Sequence, residues 1–283
     1  MMPDAETWRQ WLDRREQRVD QVNAGAVAAL SATLDRADPE PVTGAELPPL
    51  WHWIFFTPRE RQGDLGADGH ARRGGFLPPV PLPQRMWGGG RLDFLQPLQV
   101  GDRIQRDSRI ADIRFKQGRS GPLVIVTVRH EITGPRGVAI VEEHDILYRD
   151  GSRPGAAASA PQAAPTDEAF AHEIVPDPVL LFRYSALTFN GHRIHYDRRY
   201  ATEVEGYPGL VVHGPLIATL LLELLRREAP RARVRRFSYK ALGPVFDIHR
   251  FTVCGRPDGA TGYALWARDH QAALAMQASA ETG

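Results

Sequence analysis

The segment that decides the fold of this chain runs Tyr184-Ser-Ala-Leu-Thr-Phe-Asn-Gly-His-Arg-Ile-His-Tyr-Asp197 and resumes as Gly209-Leu-Val-Val-His-Gly-Pro215. Proline is favoured in the first turn of a helix, and leucines follow at helical spacing, so the second piece predicts a helix over Pro215–Arg227. The backbone N–H of Gly214 would then lie at a helix N-terminus, where it can stabilise developing negative charge. The segment therefore combines several proton-exchanging side chains with a backbone donor.

The histidines of this segment admit more than one interpretation. Any one of them taken alone is more often a core residue or a helix cap than a catalytic group. His192 and His195 also form a His-x-x-His pair, but Cys254 is the only cysteine of the chain, and no second ligand pair at metal-binding spacing accompanies them. We therefore expect no metal site.

The length of 283 residues fits one large domain or two of ordinary size, and internal similarity favours two divergent copies of one unit. Arg91-Leu-Asp-Phe resembles Arg236-Phe-Ser-Tyr at an offset of 145 positions, and two earlier pairs of segments match in the same order. A stretch without apolar periodicity, Gly151–Pro165, contains three prolines and two glycines and is the predicted linker. The predicted domains are residues 1–150 and residues 166–283.

Each copy is expected to contain a helix followed by an antiparallel meander, because apolar or alternating runs are separated by turn residues. A further irregular stretch, Thr57–Gly90, is rich in glycine and proline and too long for an ordinary connection, which indicates a functional or packing excursion. The first half has a predicted helix at Ala24–Leu34. The predicted strands are Arg103–Phe115, Leu123–Ile132, Val138–Tyr148, Arg235–Tyr239, His249–Cys254, Gly262–Arg268 and Ala272–Ala278.

Composition excludes several classes of protein. The hydrophobic content of 42 % can form a core, and the net charge of +1 argues against a nucleic-acid partner. Met1–Asp20 is charged and lacks the apolar region of an export signal, and the longest aliphatic stretch, Leu216–Leu225, is shorter than the ~20 residues of a membrane span. We expect a cytoplasmic protein with no membrane partner.

The motif resembles the signature of the MaoC-like family of (R)-specific enoyl-CoA hydratases and 3-hydroxyacyl-thioester dehydratases. In that signature an aspartate is followed five positions later by a histidine; here Asn190 occupies the aspartate position and His195 the histidine position. His213-Gly214 matches the His-Gly pair that opens the family's central helix. The form Thr-Phe-Asn-x-His-x-Ile-His-Tyr is closer to a double-hotdog subgroup, which Pro48–Trp53 and Met86–Arg91 also resemble.

The resemblance implies an α+β fold, a tandem hotdog in which each antiparallel sheet wraps around a long central helix. It also implies a hydro-lyase that adds water reversibly to an α,β-unsaturated acyl-CoA. His195 would be the base, Asn190 would hold the water, and the N–H of Gly214 would receive the thioester oxygen. The subgroup includes hydratases of mesaconyl-C4-CoA and itaconyl-CoA, so a short branched dicarboxylic acyl group is expected. No cofactor is implied, since the CoA thioester is the substrate, and a homodimer is the usual hotdog assembly.

The chain departs from the family pattern in both halves. The first half has Asp35, but Glu40 stands five positions later, so one catalytic site in the second half is expected and the first half would shape the substrate groove. Asn190 cannot act as a carboxylate base, because an amide only donates and accepts hydrogen bonds. This leaves two alternatives open. A hotdog thioesterase would need an acidic base near the helix start, and a non-catalytic acyl-thioester binding protein would need no base at all.

Other residues have less certain roles within the implied site. His192 is either a second proton carrier or structural, and Asp197 either orients His195 or lies exposed. His213 and Tyr184 are supporting candidates. The CoA phosphates and a free carboxylate of the acyl group need cations, although a solvated surface is the alternative for such residues. The candidate cations are Arg91, Arg183, Arg193, Arg235 and Arg236.

Overall fold

One ten-stranded antiparallel sheet organises the protein, whose computed structural model describes residues 5–118, 121–150 and 161–283. The helices of these residues are α1 (Ala24–Thr33), α2 (Pro178–Thr188) and α3 (Gly214–Glu228). The strands are β1 (Arg15–Gln21), β2 (Gln84–Phe94), β3 (Arg103–Gly118), β4 (Gly121–Gly134), β5 (Gly137–Arg149), β6 (Phe170–Ile174), β7 (Val234–Ala241), β8 (Phe251–Asp258), β9 (Gly262–Arg268) and β10 (Leu274–Thr282).

The strand order repeats, which confirms the predicted duplication. The first half has the order β1-β3-β4-β5-β2, and the second half has the corresponding order β6-β8-β9-β10-β7. The copies meet where β2 pairs antiparallel with β7, and Leu92 lies opposite Phe237 in that contact. These two residues are separated by the same 145 positions that relate Arg91 to Arg236. An approximate two-fold axis therefore passes between β2 and β7.

The expectation that each half has its own sheet and its own long central helix is wrong. The strands of both halves form one sheet, and the long helix α3 belongs to the second half. In the described part of the first half, a short 3-10 turn at Trp51–Ile54 occupies the corresponding place in the chain, between α1 and β2. The cause is local, because Pro58 and a run of charged residues and glycines follow this turn without the apolar spacing that continues a helix.

Helix α3 is the centre of the packed core. Every residue from Pro215 to Leu225 is buried, and the helix packs on strands of the second half. Its buried carboxylate, Glu223, accepts a hydrogen bond of 2.8 Å from Trp51 Nε1 and pairs with Arg36 at 2.8 Å. Since a buried charge needs partners, the first half neutralises the helix of the second. The apolar core is continuous across both halves.

The predicted elements are largely present. All seven predicted strands and both predicted helices occur, with ends shifted by a few residues. Strands β1, β2 and β6 and helix α2 were not predicted. Strand β2 begins inside the stretch predicted as irregular, β1 is an outer strand with mostly polar side chains, and β6 is an outer strand of only five residues. Of the predicted linker, residues 151–160 lie outside the described residues, and the following residues pair with the start of β10 through Gln162 and Ala164. No helix of the described residues has the length and apolar character needed to cross a bilayer.

The irregular stretch predicted at Thr57–Gly90 crosses to the second half. The N–H of Arg193 donates to the carbonyl oxygen of Asp68 at 2.9 Å, and the Arg193 guanidinium donates to that of Ala67 at 3.0 Å. Gly69 lies directly against Gly191, since a Cβ added to Gly69 would be 1.9 Å from the Gly191 oxygen. Two glycines therefore allow a first-half loop to contact the motif of the second half backbone to backbone.

We predict that Gly69→Ala destabilises the protein by about 1–3 kcal/mol more than Gly44→Ala, because the new methyl group must displace the Gly191 backbone. Gly44 is the matched control: both glycines have φ +88°, but a Cβ at Gly44 meets nothing within 4 Å. Urea unfolding gives the two free energies. Equal losses in the two variants would mean that the loop contact does not contribute to stability.

Candidate active site

A cavity of about 1200 Å³ extends between the two halves. Its wall includes Asn190 and Arg193 of the motif, whereas His192, His195, His213 and Gly214 lie behind the residues that line it. Its second-half wall includes Tyr184, Ser185 and Asn190, together with Pro215 at the start of α3. Its first-half wall comes from the irregular loop and from strands β2 to β5. The volume is sufficient for a drug-sized ligand, and both copies contribute to the site.

The orientation of His195 is fixed by the backbone. The residue ends a 3-10 turn, and its Nδ1 lies 2.7 Å from the carbonyl oxygen of Val211. A carbonyl can only accept, so Nδ1 carries the proton and Nε2 keeps its lone pair. Burial lowers the pKa of His195 to about 4, although the hydrogen bond to Val211 opposes the shift. The ring is therefore a neutral base near pH 7.

His213 supports His195 from the N-terminus of α3. The two rings stack with centroids 3.8 Å apart, and His213 Nε2 lies 2.8 Å from the hydroxyl of Ser185. The buried ring of Tyr184 packs edge-on against His213 at 5.1 Å. His213 thus contacts His195 directly, and Tyr184 contacts His213. This packing restricts the His195 ring.

Asn190 is positioned by the end of α2. Phe189 adopts the left-handed conformation with φ 50°, which ends the helix and turns the chain towards the cavity. The Asn190 side-chain oxygen accepts the N–H of His192 at 3.0 Å. This contact holds the amide at the cavity wall and leaves its NH₂ group as a donor for a bound molecule.

Gly214 begins α3 as expected, and no side chain caps this N-terminus. Trp87 of β2 lies directly against it, since a Cβ added to Gly214 would be 3.7 Å from the Trp87 Cβ. Pro215 lacks an N–H, so the N–H of Gly214 remains one of the free donors of the first turn. The structure thus brings a backbone donor close to the stacked His195 and His213.

His192 contacts a first-half residue that the sequence did not predict to be in the site. Its ring lies 4.1 Å from that of His70, and His70 Nδ1 lies 2.9 Å from a carboxylate oxygen of Asp68. Burial, together with the charges of His70 and His195, lowers the pKa of His192 to about 2. Ligand atoms of Asp68, His70 and His192 lie within 4.8 Å of one another, so these are the side chains that could hold a metal ion.

Asp197 does not orient His195. Its carboxylate pairs with Arg193 at 2.7 Å and accepts the N–H of Tyr200 at 3.1 Å. The carbonyl oxygen of Val211, and not a carboxylate, accepts the hydrogen bond of the His195 imidazole. Asp197 and Arg193 together fix the loop that follows the motif.

Of the five arginines predicted to bind the substrate, the cavity wall includes Arg193 and not the other four. Arg91 pairs with Glu143 and Asp145 on the outer face of the sheet. An unbroken β2 would place Arg91 on the same face as Trp87, but the strand has a bulge between Trp87 and Gly89, which reverses the alternation. Arg183 is exposed on α2, and Arg235 and Arg236 line a shallow groove elsewhere.

The first half also contributes a buried polar group that the sequence reasoning missed. The carboxylate of Glu142 lies 3.2 Å from His52 Nε2 and accepts from Trp53 Nε1 at 3.1 Å. Burial opposes ionisation, but the hydrogen bond and charge of His52 lower the pKa of Glu142 to about 2. His144, on the same strand, packs on Trp87 at 4.5 Å. No sequence signal linked these residues, because His52 precedes the irregular stretch at Thr57–Gly90 and Glu142 lies on β5.

Comparison with known proteins identifies the family and the fold. The chain is 46% identical over 276 residues to mesaconyl-C(4)-CoA hydratase of Chloroflexus aurantiacus, covering 98% of each chain. A MaoC-like dehydratase of known structure superimposes with a TM-score of 0.70 at 14% identity, covering 96% of this chain and 98% of that one. A Mycobacterium tuberculosis protein described as a double hotdog has a TM-score of 0.58 at 13% identity, with 96% of each chain covered.

The architecture is therefore a double hotdog of the MaoC-like type, and the class of protein is a hydro-lyase of acyl thioesters. The model of the family hydroxyacyl-thioester dehydratase type 2 matches residues 50–247, and the chain belongs to this family. The α+β fold class and the hydro-lyase activity implied by the motif are confirmed. The roles of individual site residues stay predictions.

We predict that His195→Ala lowers kcat for hydration of an enoyl-CoA by about 10²–10⁴-fold, the range expected for loss of a general base. Asn190→Ala should lose less, since the amide holds the water without taking its proton. The disappearance of enoyl-thioester absorbance measures both. His249→Ala, which removes an exposed histidine that stacks on His270 rather than on the motif, is the control and should retain full activity. Undiminished hydration by His195→Ala would exclude His195 as the base.

The pKa of His195 also predicts the pH profile. The base must be neutral to accept a proton, so with a pKa of about 4 it stays active well below the ordinary histidine value of ~6.5. We expect kcat/KM to be constant from about pH 7.5 to about pH 5.5 and to fall only at lower pH. Tryptophan fluorescence at each pH verifies that the protein remains folded. An acid limb centred near ~6.5 in the folded protein would contradict this environment for His195.

Proposed function

We propose that this protein adds water reversibly to the double bond of an α,β-unsaturated acyl-CoA whose acyl group is short, branched and dicarboxylic, mesaconyl-C4-CoA or itaconyl-CoA being the best candidates. The observation that carries the proposal is the neutral His195, which is oriented by the Val211 carbonyl and stacks on His213 at the N-terminus of α3. The 46% identity to the Chloroflexus hydratase of mesaconyl-C(4)-CoA supports the choice of acyl group.

The proposed reaction uses one base. His195 Nε2 takes a proton from a water molecule that Asn190 holds, and the water oxygen forms a bond to Cβ. The electron pair of the double bond moves towards the thioester oxygen, which accepts the N–H of Gly214. The His195 imidazolium then returns its proton to Cα, so one water molecule is added and no other reactant is consumed. A backbone donor at such an oxyanion is worth about 3–4 kcal/mol in the barrier.

Three further points stay proposals: a homodimer, a cytoplasmic location and a reaction without metal or other cofactor. The third has a specific structural test, because Asp68, His70 and His192 form the group that could hold an ion. If the acid–base groups suffice, the purified enzyme keeps its activity after dialysis against a chelator. Loss of activity that zinc restores would instead assign a metal to this group.

The decisive experiment is incubation with a panel of enoyl-CoA and 3-hydroxyacyl-CoA esters, branched dicarboxylic ones included, followed by mass analysis. We expect gain or loss of one water molecule, fastest with mesaconyl-C4-CoA or its hydration product. Release of free CoA would indicate a thioesterase instead. Saturable binding without turnover would indicate a binding protein, and fastest turnover of straight-chain monocarboxylic esters would exclude the proposed acyl group.

A further inference from the structure

We propose that Arg85 binds the free carboxylate of the acyl group and thereby selects dicarboxylic substrates. The inference rests on the proposed function, because it identifies the residue that recognises the second carboxylate. Arg85 was not among the arginines that the sequence singled out. It lies on β2 and lines the cavity together with Asn190 and Pro215.

Strand geometry places Arg85 on the same face of β2 as Trp87, which lies against Gly214. Arg85 and Trp87 precede the bulge of β2 and are two positions apart, so their side chains leave the same face about 7 Å from each other. Trp87 packs against Gly214, the donor for the thioester oxygen. In a mesaconyl-C4 thioester the free carboxylate is attached to Cβ. Cβ itself is two carbons from the thioester carbonyl carbon. The guanidinium of Arg85, two residues from Trp87 along β2, can therefore reach this carboxylate.

The charge of Arg85 has no carboxylate partner among the residues that the structure describes. Its cross-strand neighbour is the uncharged Tyr148, and it makes no ion pair in the part of the chain that the structure describes. Its side chain is nevertheless partly buried. A partly buried guanidinium without a counter-ion loses hydration and forms no ion pair that compensates for the loss. This position therefore favours binding of an anion.

The other arginines at the cavity centre are already occupied. Arg18 pairs with Glu16 at 2.9 Å, and Arg193 pairs with Asp197 at 2.7 Å. Arg73 donates to the carbonyl oxygens of Val80, Leu82 and Pro83. Arg106 lies over the ring of Phe56 and 4.0 Å from Glu16. Arg85 is distinguished from them because, in the part of the chain that the structure describes, its guanidinium has neither a carboxylate nor a carbonyl partner.

The surroundings of Arg85 supply further donors for a carboxylate. His70 and His144 line the same cavity as Arg85. His144 Nε2 is buried without a hydrogen-bond partner in the described structure, and its ring packs on Trp87. A carboxylate held by Arg85 would place its second oxygen among these imidazoles, next to the catalytic motif.

The test compares Arg85→Met and Arg85→Lys on matched substrates. Mesaconyl-C4-CoA carries the carboxylate, 3-methylcrotonyl-CoA replaces it by a methyl group, and crotonyl-CoA replaces it by hydrogen. We expect Arg85→Met to lower kcat/KM for mesaconyl-C4-CoA by on the order of 10²–10³-fold while the two neutral substrates change less than about threefold. Arg85→Lys should recover part of the loss. Arg183→Met, an exposed arginine outside the cavity wall, is the control and should change none of the three values.

The outcomes separate this inference from the proposed function. Retained turnover of crotonyl-CoA shows that Arg85→Met is folded and competent, so a loss confined to mesaconyl-C4-CoA supports the assignment. Equal losses on all three substrates would overturn it, since Arg85 would then act on the thioester or on folding. Unchanged turnover of mesaconyl-C4-CoA would overturn it as well. Failure of the unmodified enzyme to hydrate any panel member would instead contradict the proposed function.

Discussion

The antiparallel pairing of β2 with β7 is the interaction on which the rest of the structure depends. It joins two five-stranded units into one sheet, with Leu92 opposite Phe237 close to the approximate two-fold axis. Because the halves share a sheet, they also share a core, and α3 packs into it with Trp51 and Arg36 of the other copy on its buried carboxylate. The cavity lies beside this junction, so the site depends on the register of one strand pair.

The asymmetry between the copies explains where the cavity comes from. The second half has a buried helix between α2 and β7, whereas the first half has a short 3-10 turn and then a long irregular loop. The loop crosses to the motif of the second half, and the sheet face near it carries polar side chains such as Glu142 and His144. Where the second half has a packed helix, the first half therefore leaves a space large enough for a substrate.

The sequence predicted well those features that depend on local pattern. The spacing of Asn190, His195 and Gly214 identified the motif, and the apolar periodicity after Pro215 identified α3, because both signals lie within a few turns of chain. It could not place Asp68 or His70, whose positions depend on where a loop without periodicity crosses to the other half, or Arg85, whose position depends on the pairing of β2 with β5. Arg91 shows a subtler limit: its distance along β2 from Trp87 indicates the cavity face, but a one-residue bulge turns it outward. The polar outer strand β1 gave no apolar signal at all.

The contact between Gly69 and Gly191 has a consequence for how such a protein can evolve. After a duplication, two copies ordinarily change independently as long as each still folds. Here the backbone of one copy lies against the motif of the other with no space for a single methyl group. Insertions in the first-half loop and substitutions in the second-half motif are therefore selected together, and neither copy can be lost or replaced by a foreign unit. The two copies of the ancestral repeat have therefore diverged in structure and now evolve as a single unit.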